Sequence, residues 1–224
     1  MPLRDKSVLI TGSSAGIGRE TARMFAREEA RVVVTFHRDE KEAMDTVEEC
    51  KELGAPDVLA FQLDVMDSES IKNVVEQTVD AFGGIAVLVN NAGVAEWTPL
   101  ADMSFDDIET QLRTNLEGLI KMTKVALPFI SETIVNVGSG AGIEGYADLS
   151  VYCATKFGVR GFSQALAKEM PDLQIFTVNP GTTATRMTGF RGVPPEHVAQ
   201  LILNAAKGIY AVPSGSDINV WEHV

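Results

Sequence analysis

Apolar residues in this chain come in short runs separated by longer stretches in which apolar and polar positions alternate with a helical period. The runs at 7–10, 31–35, 58–63, 86–89, 133–137 and 173–178 are rich in β-branched residues, and each predicts a strand buried on both faces. A short seventh strand is expected at 218–220. The intervening stretches predict helices over 19–29, 39–53, 68–82 and 104–129, a further helix carrying Tyr152 and running to about 170, and a last one to about 208. Ser68 is the expected cap of the third helix, Gly83-Gly84 its stop, and Pro194-Pro195 the opening of the last. Asn115 lies inside the fourth, where its side chain competes with the backbone, so a break or a polar task is expected there. Strands and helices alternate without repeat or linker. This order predicts an α/β fold, a doubly wound parallel sheet in one domain over 1–224.

Composition narrows the partners. The 224 residues are 45% hydrophobic, enough for a sizeable core, and the net charge of −12 argues against nucleic acid or an anionic membrane surface. No apolar run is long enough to span a bilayer, and the chain enters its first strand almost at once, so no leader is expected. Two cysteines, Cys50 and Cys153, make no disulfide framework and fit a reduced, cytoplasmic setting. His37, His197 and His223 are scattered and suggest no metal site.

Candidate chemistry concentrates in Tyr152-Cys153-Ala154-Thr155-Lys156. On a helix Tyr152 and Lys156 share one face, and an ammonium beside a phenol would lower the tyrosine pKa toward working pH. Such a tyrosine can protonate a carbonyl oxygen or deprotonate an alcohol, with Ser139 holding the same oxygen. The same spacing also occurs by chance on solvated helix faces. Near the start, Gly12, Gly16 and Gly18 lie between a buried strand and a helix, where a backbone can approach a pyrophosphate; a tight strand-to-helix turn is the alternative. After the second strand come Phe36, His37 and Arg38. Cations here suit a 2′-phosphate, so NADP(H) is favoured over NAD(H), unless Arg38 merely pairs with Asp39 or Glu42.

Taken together, TGSSAGIG (11–18), LDV (63–65), NNAG (90–93), TN (114–115), Ser139, YCATK (152–156) and NPGTTAT (179–185) resemble the short-chain dehydrogenase/reductase family, in order and in spacing, over nearly the whole chain. The 3-oxoacyl thioester reductases and general carbonyl or sugar alcohol dehydrogenases are similar in pattern. The resemblance implies strand order 3-2-1-4-5-6-7 and an oxidoreductase that interconverts a small carbonyl and a secondary alcohol. It implies Tyr152 as acid/base, Lys156 as its pKa partner and ribose ligand, Ser139 orienting the substrate, and Asn115 holding a relay water. It also implies Gly12, Ser14, Gly16, Ile17 and Gly18 in the cofactor turn, Asp64 and Val65 flanking the adenine, and Asn91, Ala92 and Gly93 on the adenosine side. Pro180, Gly181, Thr183 and Thr185 would fix the nicotinamide.

Two departures accompany the resemblance. Ala15 stands where NADP-preferring relatives often carry a basic residue, and the substrate lid is trimmed to 186–193. Glu144, Tyr146, Trp97, Met187 and Phe190 are expected at the entrance, with loop packing as the alternative for Trp97 and Phe190. A sugar-nucleotide epimerase or dehydratase and a non-catalytic dinucleotide sensor are the competing functions. The resemblance further implies a homodimer or homotetramer paired through the helices containing Asn115 and Tyr152, with Trp221 at a second interface or over a neighbouring site.

Overall fold

Residues 2–223 are described by a computed structural model. The strands are β1 (Ser7–Ile10), β2 (Arg31–Phe36), β3 (Val58–Gln62), β4 (Ile85–Asn90), β5 (Ile130–Val137), β6 (Gln174–Asn179) and β7 (Asp217–Asn219). They form one parallel sheet in the order β3-β2-β1-β4-β5-β6-β7. The helices are α1 (Gly16–Arg27), α2 (Glu40–Glu52), α3 (Ser68–Phe82), α4 (Phe105–Leu112), α5 (Leu119–Ala126), α6 (Ser150–Glu169) and α7 (Pro195–Ala206).

The continuous apolar strands supply two cores because successive side chains leave opposite faces. Val8, Ile10, Val32, Val34, Val87 and Val89 pack with Phe25 of α1, Val47 of α2 and Ile202 of α7. Leu9, Val33, Leu88, Ile134 and Ile175 pack on the other side with Ile71 of α3, Met122 of α5 and Leu166 of α6. Each such buried aliphatic contributes about 1.5–3 kcal/mol, so both layers hold the sheet. The order reverses between β1 and β4, and the crevice beyond their carboxyl ends is where this architecture places ligands.

Local chemistry sets the helix ends. Asp39 and Ser104 accept backbone N–H groups at the starts of α2 and α4. The cap of α3 is Asp67, which accepts from the Glu69 N–H, rather than the expected Ser68. Gly83 then ends α3 in the left-handed region. The helix expected over 104–129 is broken. A π-helical turn, Arg113–Gly118, separates α4 from α5, and Pro128 sits in a closing 3₁₀ turn. Two contacts account for the π turn: Asn115 reaches across to Val94, and a Cβ on Gly118 would stand only 2.7 Å from the Val65 carbonyl. Among the described residues, no helix is long and apolar enough to cross a membrane.

Candidate active site

The carboxyl ends of the strands open into a cleft of about 1150 Å³. At one end lies the turn between β1 and α1. Gly12 and Gly16 hold φ of +65° and +56°, which other residues adopt only with strain. Gly18 does not line the cleft; a Cβ there would meet the Gly12 carbonyl at 2.2 Å, so this glycine lets α1 close onto its own turn. No side chain caps α1 at Ala15, and its first turn carries no acid. With Gly16 and Ile17 facing the cleft, the N–H groups and positive dipole end of α1 suit an anionic group such as a pyrophosphate. Ser14 completes this wall.

The turn is wired from below. Thr35 Oγ1 accepts from the Gly12 N–H at 2.9 Å and donates to the Ile10 carbonyl at 3.0 Å. The buried Ser13 hydroxyl donates to the same Ile10 carbonyl and accepts from the Thr35 N–H. Thr11 Oγ1 accepts from the N–H groups of Asn91 and Ala92, and Asn91 Nδ2 donates to the carbonyls of Thr11 and Gly12. The loops after β1 and β4 are therefore tied to each other. Sequence reasoning missed the roles of Thr11, Ser13 and Thr35; the available signal was a threonine after the three valines of β2.

Beside the turn, His37 and Arg38 line the cleft, as do Asp64 and Val65. Among the described residues no carboxylate pairs with Arg38. Glu42 is taken by Arg186, whose guanidinium reaches across the mouth with both terminal nitrogens. Asp64 accepts from the Met66 N–H and lies 3.6 Å from His37 Nε2.

The other end holds Ser139, Tyr152 and Lys156. Ser139 follows β5, its N–H donating to Asn179 Oδ1 at 3.2 Å and its hydroxyl accepting from the Ala141 N–H at 3.1 Å. A Cβ at the adjacent Gly138 would fall 2.1 Å from Asn179 Oδ1, so only glycine permits this approach. Asn179 is fixed in turn by Asp217 and Asn219, and Asp217 by Arg160, whose Nη1 also donates to the Gly142 carbonyl.

Tyr152 and Ser139 line the same end of the cleft. Part of the tyrosine ring faces the cleft, yet the phenol lies deep enough that burial pushes its pKa up, with Ser139 pulling the other way. The expected depression by Lys156 is not what this structure holds. Lys156 Nζ donates to the Val137 carbonyl at 2.9 Å and stands 5.6 Å from the centre of the Tyr152 ring. Burial lowers the lysine itself to about 8.

Asn115 lies outside the cleft wall. Its Oδ1 accepts from the Val94 N–H and its Nδ2 donates to the Val94 carbonyl, both at 2.8 Å. A Cβ on Gly93 would sit 3.3 Å from Asn115 Oδ1 and 3.7 Å from Lys156 Nζ, so the glycine keeps these groups close beneath the cleft floor. Asn91, Ala92, Gly93, Pro180, Gly181, Thr183 and Thr185 all line the cleft.

Comparison with known proteins identifies the arrangement. Residues 6–192 match the family described as short chain dehydrogenase. The chain belongs to the short-chain dehydrogenase family. It is 38% identical to an NADP-dependent 3-hydroxy acid dehydrogenase of Schizosaccharomyces pombe, over 91% of this chain and 87% of that protein. It is 34% identical to a 3-oxoacyl-(acyl-carrier-protein) reductase of Thermotoga maritima, over 98% of each. Its fold superposes on a short-chain dehydrogenase of Burkholderia cenocepacia J2315 in complex with NADP, with a TM-score of 0.91 and 28% identity, covering 98% and 97% of the two chains. A strand order of 3-2-1-4-5-6-7 was expected of this family and is present.

Trp97, Tyr146, Met187 and Phe190 line the cleft of this short-chain dehydrogenase as expected, but Glu144 does not. Glu144 instead stands close enough to the Tyr146 hydroxyl to raise its pKa. The connection 186–193 folds back tightly, with a bridge between Thr183 and Val193. Trp221 lies over its own chain's Gly140, 3.6 Å from where a Cβ would stand, which places the C-terminal turn beside the Ser139 loop.

Proposed function

We propose that this short-chain dehydrogenase interconverts a carbonyl and a secondary alcohol, using NADP(H) in preference to NAD(H). The observation that carries the reading is that Ser139, Tyr152 and Lys156 line one end of a cleft whose other end has the uncapped start of α1 beside Arg38. The nicotinamide, when bound, would supply or accept the hydride. Gly12, Ser14, Gly16 and Ile17 would hold its pyrophosphate side, with Gly18 closing the turn. Asp64, Val65, Asn91, Ala92 and Gly93 would hold the adenosine, and Pro180, Gly181, Thr183 and Thr185 the nicotinamide. His37 and Arg38 would take the 2′-phosphate. The NADP named for one relative and one solved structure supports that preference.

In this reading Ser139 and Tyr152 hold the substrate oxygen, and Tyr152 gives or takes its proton. A pKa raised by burial keeps the phenol protonated at neutral pH, which is the form a reduction needs. The reverse oxidation needs the phenolate and should speed up as pH rises. Lys156, whose pKa of about 8 leaves it mostly charged at neutral pH, would hold the ribose and hand protons onward. Since the Asn115 side chain is committed to Val94, its part in a water relay would fall to its backbone in the π turn. The connection 186–193 would be the reduced lid. The free thiols Cys50 and Cys153 support a reducing, cytoplasmic setting. The family match supports the redox reading over the epimerase and sensor alternatives.

The test follows absorbance at 340 nm with a panel of ketones and aldehydes, NADPH or NADH, and Tyr152→Phe as control. Tyr152→Phe should lose about 10²–10⁴-fold in turnover while still binding NADPH. Retained turnover would remove Tyr152 from the chemistry, and tighter binding of NADH than NADPH would remove the cofactor preference.

A further inference from the structure

The cleft is electrically divided. Arg19, Arg38 and Arg186 all line it at the end nearest α2. Arg19 is paired with Glu49 and Arg186 with Glu42, both on α2. The end around Ser139 and Tyr152 is walled by Trp97, Tyr146 and Leu149. Among the described residues of that end, the one cation lining the cleft is Lys156, which is buried and turned to the Val137 carbonyl. Arg191 on the lid does not line the cleft and donates to the Thr188 carbonyl.

Acids stand next to lining residues at the same end: Glu96 precedes Trp97, and Glu144 and Asp148 bracket Tyr146; all three are exposed and none of them lines the cleft itself. The two segments are tied together where the Thr98 N–H donates to the Asp148 carbonyl at 3.0 Å. An anion here stands close to like charge and against apolar walls that cannot replace its hydration. A neutral carbonyl compound meets neither obstacle and gains from burying apolar surface.

We infer that this acidic rim and these apolar walls select an uncharged, largely apolar ketone or aldehyde, and disfavour a free oxo acid or an acyl chain delivered on an acidic carrier. The inference rests on the reductase reading of the same cleft, and it departs from what the names of both relatives would suggest.

Methyl 4-acetylbenzoate and 4-acetylbenzoate carry the same ketone and differ by one negative charge. With NADPH, the ester should show kcat/KM about tenfold or more above the acid, since both like-charge repulsion and desolvation act against the carboxylate. The Glu96→Lys/Asp148→Asn double variant should narrow that ratio by raising kcat/KM for the acid, as should added salt. Equal or faster turnover of the acid, or a ratio unchanged by the charge reversal, would overturn the inference. Saturation-transfer NMR of both compounds on the NADP⁺-loaded enzyme reads the preference without turnover. Ester bound and acid not, with neither reduced, would sustain the charge preference and remove the reductase reading. Acid bound as well as the ester would overturn the inference, whichever is reduced.

Discussion

Lys156 is a cation placed where a protein would ordinarily put a leucine. It is almost completely enclosed, and its Nζ has the Val137 carbonyl as partner. Burial lowers its pKa from 10.5 to about 8, which amounts to a stability cost on the order of 3 kcal/mol when the group is charged. The sign follows from proton counting. Between pH 8 and 10.5 the unfolded chain binds the proton that the folded one has released, so stability rises with pH through that window. Lys156→Met should therefore stabilise the protein at pH 7 by about 1–2 kcal/mol, after allowing for the Val137 carbonyl left without a donor. That advantage should fade as pH climbs from 8 to 10.5, and turnover should be lost throughout. Urea unfolding at pH 7 and pH 10 measures it; a variant less stable than wild type at pH 7 would contradict the argument.

At the level of elements, the site depends on how β6, β7 and α6 are fastened behind Ser139. Arg160 of α6 grips Asp217 of β7 with two nitrogens, Asp217 and Asn219 hold the Asn179 amide, and Asn179 Oδ1 receives the Ser139 N–H. The Arg160–Asp217 pair is mostly buried, at 23% and 19% side-chain exposure, so screening by water is limited. Asp217→Asn should cost about 1–3 kcal/mol in unfolding free energy, because it leaves the guanidinium short of its counter-charge. It should also lower kcat through a loosened Ser139 loop while leaving NADPH affinity near wild type. An unchanged kcat would show that the fastening serves stability alone.

Across the whole molecule, exposed apolar side chains recur from α4 through α5 to α6: Phe105 is 90% exposed, and Leu112, Ile120, Phe129 and Phe157 are also exposed. Scattered surface apolars are ordinary, but several on the helices around Asn115 and Tyr152 fit the proposed pairing of identical chains. With a net charge of −12, chains would associate only where apolar burial outweighs mutual repulsion. Light scattering coupled to gel filtration should show a dimer or tetramer for wild type and a shift toward monomer for Phe157→Asp. A wild-type monomer would end the proposal.

The sequence by itself determined the sheet and much of the cleft. Six apolar runs and one short C-terminal strand sit where periodicity puts them, since a strand buried on both faces has few alternatives once its neighbours are helices. Glycines at strand ends and the Tyr152–Lys156 spacing marked both ends of the cleft, because they are constrained by local backbone and helix geometry. Ser68 was mistaken for the cap because two adjacent polar residues compete for one role and backbone entry decides between them. A break at Asn115 was legible from the residue alone, but its form as a π turn was not, because Asn115 and Gly118 answer to Val94 and Val65, neither of which is near in sequence. The protonation of Tyr152 and Lys156 depended on depth, and depth belongs to the packed fold: helical spacing brings the two residues to one face, but only burial and the Val137 carbonyl decide where the ammonium points and which pKa moves.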